Sequence, residues 1–330
     1  MGKKRYLVTG GAGFVGHHIV DYLLRKTDHD VVLLDRMRFA GNMNRLADLR
    51  SVWDAGQRVS WVWHDLRAPI SDMLARQLGR VDVIMHLAAS SHVDRSIEDP
   101  AGCVIDNTLG TVHLLDFARR VEGLDAFLYF STDEVFGPAP VGIEYSEWDR
   151  YRSGNPYAAS KAGAEELCLS FHNTYKLPVI ITHCMNIFGE RQHPEKYIPM
   201  TIRKILAGEP VIVHSGPDKQ TPGSRFYIHA QNVAAATCWL IHAATAGEKY
   251  NIVGEREVDN LSLAQTIATI VGRDLEYEMV DYHSSRPGHD LRYALSGDRL
   301  TRMGWTHPAA FERSLSNVVS WYMANPSWLG

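Results

Sequence analysis

Cysteine is scarce in this chain. Its 330 residues include only four, Cys103, Cys168, Cys184 and Cys238, and no two stand in a CxxC spacing. That excludes a disulfide framework or a thiolate metal site and leaves buried free thiols of a reducing compartment as the expectation. Histidine is plentiful, at 16 residues, but scattered, with no HExxH pair to suggest a metal centre. An excess of charge is also missing: 34 Lys and Arg against 38 Asp and Glu leave -4, with neither a basic field for nucleic acid nor an acidic tail. No apolar run reaches the length of a membrane span. The opening MGKKRYLVTGG has no secretory h-region, and Tyr6 stands where a myristoylation signal needs Ser or Thr. Internal repeats and low-complexity segments are absent as well. The expectation is a soluble, cytoplasmic protein with no metal, no membrane and no nucleic-acid partner, its 45% apolar content sufficient for a sizeable core.

What is present centres on FLYFSTDEVFG, Phe127 to Gly137. An aromatic and aliphatic run that stops at Ser131, Thr132, Asp133 and Glu134 reads as a strand buried on both faces, ending in polar side chains. In open α/β sheets ligands bind beyond the carboxyl ends of such strands. Two adjacent carboxylates at that place suit proton transfer, although a capped, solvated loop would use the same residues.

The remaining chain supplies the frame. Arg5 to Thr9 reads as a strand, GGAGFVG as a turn, the stretch to about Arg25 as a helix, and Val31 to Leu34 as a strand closed by Asp35. Gly10, Gly13 and Gly16, with Phe14 and Val15 between them, form the turn that lets backbone N–H groups approach a pyrophosphate at a helix N-terminus. Asp35, nineteen residues after Gly16, is placed to accept hydrogen bonds from both adenosine ribose hydroxyls and to repel a 2′-phosphate, which favours NAD over NADP. Arg36 and Arg38 could have partnered that phosphate. Val59 to Trp63 is the next strand, followed by Asp65 and Leu66 on the adenine side, and Val81 to Leu87 precedes Ala88 and Ala89, small residues that leave room for the cofactor. Asp99 to Arg120 reads as one long helix with an apolar stripe through Val104, Leu109, Val112 and Leu115, and Tyr157 to Tyr175 as another, opened by Asn155-Pro156. Strands alternating with helices at this spacing predict an α/β, doubly wound parallel Rossmann sheet. Beyond Val179 to His183 the rhythm changes, so the expected division is residues 1–186 plus about 228–253 for the NAD-binding domain. A smaller substrate-binding lobe would take about 187–227 plus 254–330.

Tyr157 and Lys161 stand four residues apart, on one helix face. A tyrosine becomes a useful base near neutral pH only where a cation favours the phenolate, and Lys161 with a nicotinamide ring would supply that field. An exposed i, i+4 pair is the alternative.

The segments TGGAGFVG, HLAASSHVDRSIEDP, STDEVFG, NPYAASKAGAEE, PEKYIPM and RPGHDLRYAL run nearly the length of the chain. Together they resemble the extended short-chain dehydrogenase/reductase family and, within it, the dTDP-glucose 4,6-dehydratases. The triplet Thr132-Asp133-Glu134 discriminates, because sugar-nucleotide 4-epimerases of the family generally lack the Asp-Glu pair. The resemblance implies a nucleotide-diphosphate sugar substrate, bound NAD and a homodimer built from the helices near 100–120 and 157–175. It assigns Tyr157, with Thr132, to the sugar 4-hydroxyl, Glu134 to the C5 proton and a protonated Asp133 to the departing C6 hydroxyl. It also implies substrate contacts from His92, Asn186, Lys196, Arg225 and Arg286. The chain departs from the family pattern at Ser90, at Met185 to Glu190, at His214 and in the loop before Arg225, mostly on the nucleotide side. A UDP-sugar 4,6-dehydratase, a 4-epimerase and a non-catalytic NAD-binding protein are the competing readings.

Overall fold

The computed structural model describes residues 2–38, 41–47, 58–281 and 291–330. Seven strands build the central sheet: β1 (Arg5–Thr9), β2 (Asp30–Asp35), β3 (Val59–Trp63), β4 (Val83–His86), β5 (Ala126–Thr132), β6 (Val179–Cys184) and β7 (Glu248–Ile252). Their spatial order is β7-β6-β5-β4-β1-β2-β3, with β1–β2, β1–β4, β2–β3 and β4–β5 paired in parallel. This is the doubly wound Rossmann arrangement the alternation predicted. The strand order reverses between β1 and β4, and that reversal marks the ligand crevice of such sheets.

The sequence explains why these strands lie inside. β1, β2, β4, β5 and β6 are near-continuous apolar runs, and Leu7, Val32, Ile84, Phe127, Val179 and Ile181 are fully buried in one cluster with helix residues Leu114, Leu115 and Ala164. Parallel strands covered on both faces require that composition. At the sheet edge β3 is only half covered, and Trp63 is exposed.

Chain contacts divide the protein into two compact units. The first comprises 1–135, 155–183 and 234–250, and the second 136–154, 184–233 and 251–330. This differs from the expected division by a few residues at 184–186, 228–233 and 251–253, and chiefly at segment 136–154, which is hydrogen-bonded to residues near 292–296. Ala139 N–H donates to Arg292 O, Tyr145 N–H to Ala294 O, and Arg292 Nη1 to Pro140 O and Ile143 O. The second unit has its own core, in which Ile202, Ile205, Leu263, Ile267, Leu315 and Val318 are contributed by the helices Tyr197–Ala207, Asn260–Val271 and Phe311–Ala324.

One expected element is refined. The long helix runs unbroken from Pro100 to Ala118, as an α-helical turn (Pro100–Val104), a π-turn (Ile105–Leu109) and an α-helical segment (Gly110–Ala118). Cys103, Asn107, Leu114 and Leu115 are buried, while Val104 and Leu109 are 46% and 40% exposed.

Candidate active site

The glycine turn forms where the strand order reverses. Gly10 follows β1 with φ +70°, and a Cβ there would lie 2.8 Å from Ala88 N, in the loop that leaves β4. A side chain at Gly16 would overlap Gly10 O. Only glycine fits either place, and the close approach leaves the first turn of the Phe14–Lys26 helix, Phe14 and Val15 included, beside an open backbone cradle. Leu87 and Ala88 are drawn into the same corner: Leu87 N–H donates to Thr9 O and Ala88 N–H to Thr9 Oγ1, both at 3.2 Å. Asp35 ends β2 and ties to the turn, accepting from Ala12 N–H at 3.1 Å and Met37 N–H at 2.8 Å. Asp65 receives both its contacts to Arg36 from Nη1, at 3.0 and 2.9 Å, and Leu66 O meets His113 Nδ1 at 2.7 Å. The predicted cofactor residues Gly10, Gly13, Gly16, Asp35, Leu87 and Ala88 thus converge at one sheet end. The donor set and the side-chain-free cradle fit a dinucleotide pyrophosphate.

The second cluster lies at the end of β5. Ser131 and Thr132 still belong to the strand, and Asp133–Phe136 closes it as a single 3-10 turn. The helix Pro156–Tyr175 begins beside it because Asn155 caps it, its Oδ1 accepting from Ala158 N–H at 2.8 Å, with Pro156 at the first helical position. Thr132 Oγ1–H donates to Asp133 Oδ1 at 3.0 Å. Asn155 Nδ2–H donates to Glu134 Oε2 at 3.1 Å, and Tyr157 N–H to Ser96 Oγ at 3.1 Å.

Electrostatics links these groups. Burial pushes the Tyr157 phenol well above its ordinary value and the Glu134 carboxylate pushes further. A hydrogen bond with Thr132 opposes them, and Asp133 adds to the rise. Thr132, Asp133 and Glu134 therefore lie within electrostatic range of Tyr157. Burial pulls Lys161 down to about 8, while Glu165, one turn further along the helix, acts to retain its proton. Contrary to a simple Tyr–Lys contact, Lys161 Nζ donates to Phe130 O at 2.6 Å and sits 4.2 Å from the Tyr129 ring centroid.

Sequence reasoning missed what stands behind Lys161. Glu165 and His183 are fully buried, with His183 Nε2 and Lys249 Nζ at 3.1 and 3.5 Å from Glu165 Oε2, and Ser131 Oγ–H donates to Oε1. Burial opposes ionisation of Glu165, but His183, Lys249 and Ser131 outweigh it and hold the carboxyl below its usual range. The i, i+4 spacing from Lys161 was the available signal. Asn155, read only as a helix start, was the other omission.

The remaining predicted residues are not all brought to this cluster. His92 occupies the N-terminal cap position of the Val93–Glu98 helix, its Nδ1 3.9 Å from Asp94 Oδ2. Asn186, Lys196 and Arg225 belong to the second unit. Asn186 is exposed and its carbonyl accepts from Ile228 N–H. Lys196 is exposed at the start of the Tyr197–Ala207 helix. Arg225 is half-buried, its guanidinium 4.7 Å from the Tyr293 ring centroid. Arg286 and Ala89 differ in standing: Arg286 lies outside the described residues, whereas Ala89 is described and follows Ala88 in the loop after β4.

The profile of the NAD dependent epimerase/dehydratase family matches residues 6–253. The chain belongs to that family. Among curated members of the epimerase/dehydratase family, the dTDP-glucose 4,6-dehydratase of Escherichia coli is 35% identical, with 98% of this chain and 94% of the relative covered. That of Neisseria gonorrhoeae is also 35% identical, with 98% and 97% covered. The dTDP-glucose 4,6-dehydratase of Streptomyces venezuelae, solved with NAD and TYD bound, superposes with TM-score 0.87 at 36% identity over 98% of both chains. The UDP-glucose 4-epimerase of Thermus thermophilus, solved with NAD, superposes with TM-score 0.84 at 27% identity, covering 97% of this chain and 99% of that one.

Proposed function

We propose that the chain is a nucleotide-sugar 4,6-dehydratase, a hydro-lyase that converts a dTDP-glucose-like substrate to the 4-keto-6-deoxy sugar through bound NAD. The observation that carries this reading is the placement of Asp133 and Glu134 directly after Thr132, beside the start of the helix that carries Tyr157: Thr132 Oγ1–H donates to Asp133, and Asn155, the cap of that helix, donates to Glu134. An epimerase needs a tyrosine and a hydroxyl at that place but no acid–base pair. The relatives with this activity, similar over nearly the whole length of the chain, support the same reading.

Gly10, Gly13, Phe14, Val15, Gly16, Asp35, Asp65, Leu66, Leu87, Ala88 and Ala89 would hold the NAD. The chemistry NAD supplies when bound is reversible storage of one hydride, which makes the conversion redox-neutral. Tyr157, with Thr132 near it, takes the proton of the sugar 4-hydroxyl, and Lys161 lowers the cost of the phenolate from a distance. Once position 4 is a ketone the C5 proton is acidified. Glu134, oriented by Asn155, removes that proton, and Asp133 delivers a proton to the departing C6 hydroxyl. Two carboxyls in opposite protonation states are what such an elimination requires.

His92 is proposed as a sugar-side contact, and Asn186, Lys196, Arg225 and Arg286 as contacts for the diphosphate or nucleoside, where arginine forks suit phosphate. The exposed Val104 and Leu109 support a homodimer joined through the helices near 100–120 and 157–175. Among the described residues no helix is long and apolar enough to cross a membrane, and we place the enzyme in the cytoplasm.

Incubating purified protein with dTDP-glucose, UDP-glucose and UDP-N-acetylglucosamine and weighing the products tests the reading. Loss of one water from dTDP-glucose is expected. Loss from a UDP-sugar instead would move the assignment to the UDP branch, and an isomer of unchanged mass would make the chain an epimerase.

A further inference from the structure

Asp106 lies in the π-turn between Ile105 and Leu109, and three arginines gather on its carboxylate. Arg36 Nη2 donates to Oδ2 at 2.7 Å, Arg67 Nε to Oδ1 at 2.5 Å, and Arg38 Nη1 stands 4.0 Å from Oδ2. The Asp106 side chain is only 9% exposed. Arg36 is held on its other side as well, since Nη1 meets both oxygens of Asp65, and Asp65 Oδ1 accepts from Arg67 N–H at 2.9 Å. A closed Arg36–Asp65–Arg67–Asp106 ring results, built on the residues that follow β2, β3 and the π-turn. Arg36 directly follows Asp35 at the end of β2. In dinucleotide folds an arginine near that acid is the residue that accommodates a 2′-phosphate. Here each Nη of that guanidinium is already engaged by a carboxylate.

We infer that Asp106 is a specificity-determining residue of the dinucleotide site, withholding Arg36 from a 2′-phosphate. This rests on the NAD reading given above and extends it. Asp35 repels the phosphate directly; Asp106 removes the cation that would compensate for it. The π-turn sets this up by inserting a residue that turns Asp106 toward the β2 and β3 ends. NAD selection thus has two layers, and removing the first alone leaves the second in force.

The test uses the full chain stripped of nucleotide, titrated calorimetrically with NAD and with NADP, in four forms: wild type, Asp35→Ser, Asp106→Asn with Asp35→Ser, and that pair with Arg36→Ala. Asp35→Ser alone should change the NADP-to-NAD affinity ratio only a few-fold. Adding Asp106→Asn should raise the ratio by about 10- to 100-fold more, the factor that charge-assisted hydrogen bonds from a released arginine supply. Adding Arg36→Ala should abolish that gain. If Asp106→Asn lowers the melting temperature below the working range, Asp106→Ser replaces it. A ratio unchanged by the Asp106 substitution, or a gain that survives Arg36→Ala, overturns the inference while NAD binding by the wild type keeps the functional reading intact. A wild-type protein that binds neither dinucleotide overturns both.

Discussion

Asn155 serves Glu134 and its own helix at once: Nδ2–H donates to Glu134 Oε2 at 3.1 Å while Oδ1 caps Ala158 N–H at 2.8 Å. The two functions separate by substitution. Serine caps helices about as well as asparagine but carries no amide donor, so Asn155→Ser should unfold in urea close to wild type. Its rate of C5 deuterium exchange should fall about tenfold. Asn155→Ala should lose both, with about 1 kcal/mol of stability gone. Equal exchange rates in Asn155→Ser and wild type would leave Asn155 as a cap alone.

Glu134→Gln and Asp133→Asn distinguish the two halves of the elimination. Each should lower dehydration about 10²–10⁴-fold, the usual loss when general acid or base help is removed. C5 exchange with deuterated solvent should stop in Glu134→Gln and persist in part in Asp133→Asn. Tyr157→Phe should suppress the first oxidation, with no transient of reduced cofactor absorbance. Dehydration at near wild-type rate in both carboxamide variants would show the pair to be a turn and nothing more.

Lys161 should give the activity a basic limit. Its ammonium is pulled down to about 8, so kcat/KM should fall as pH rises through that value. Stability should move the other way. The depressed value means the unfolded chain holds a proton the folded chain has released, so this group's contribution is full above 10.5 and is lost as pH falls through about 8. Activity and urea stability measured across pH 7 to 10 should therefore diverge, within about that range. Glu165→Gln removes a charge that favours the ammonium and should shift the basic limb to lower pH.

Gly10→Ala should be severe. The backbone has φ +70° and the added carbon would lie 2.8 Å from Ala88 N. The left-handed conformation alone costs about 1–2 kcal/mol for a residue with a side chain, and relief of the clash must open the β1–β4 corner. Purified variant should carry little NAD, read from the absorbance of the acid-released nucleotide.

Replacing Val104 and Leu109 by Asp should convert a dimer to monomers in light scattering, with little change in circular dichroism, because both side chains are already exposed within one chain. A wild-type chain that is monomeric at all concentrations would remove the proposed interface.

The sheet was legible because its signals are local. Five strands are continuous apolar runs, and the glycine turn, Asp35 and the polar end of β5 announce themselves within a few residues. The π-turn was not legible, because nothing in the residue pattern marks Ile105–Leu109, and Val104 and Leu109, read as part of an apolar stripe, are exposed within one chain. Arg36 could be read from sequence as a phosphate partner because its carboxylates lie 29 and 70 residues away. Glu165 was passed over for the same reason. Its charge is tolerated only because β6 and β7 bring His183 and Lys249 to it.

The strand that ends in Thr132 has a kinetic consequence. Phe127 and Leu128 have no exposed surface, and β5 is flanked on both sides, by β4 and β6. Amide protons in such a strand exchange with solvent only when the whole cooperative unit opens. Thr132, Asp133 and Glu134 are appended to a stretch of backbone that should be among the slowest to exchange, so fraying should not displace them piecemeal. Heat or urea inactivation should share its midpoint with the exchange of the β5 amides, and the enzyme should remain fully competent until its foldon gives way.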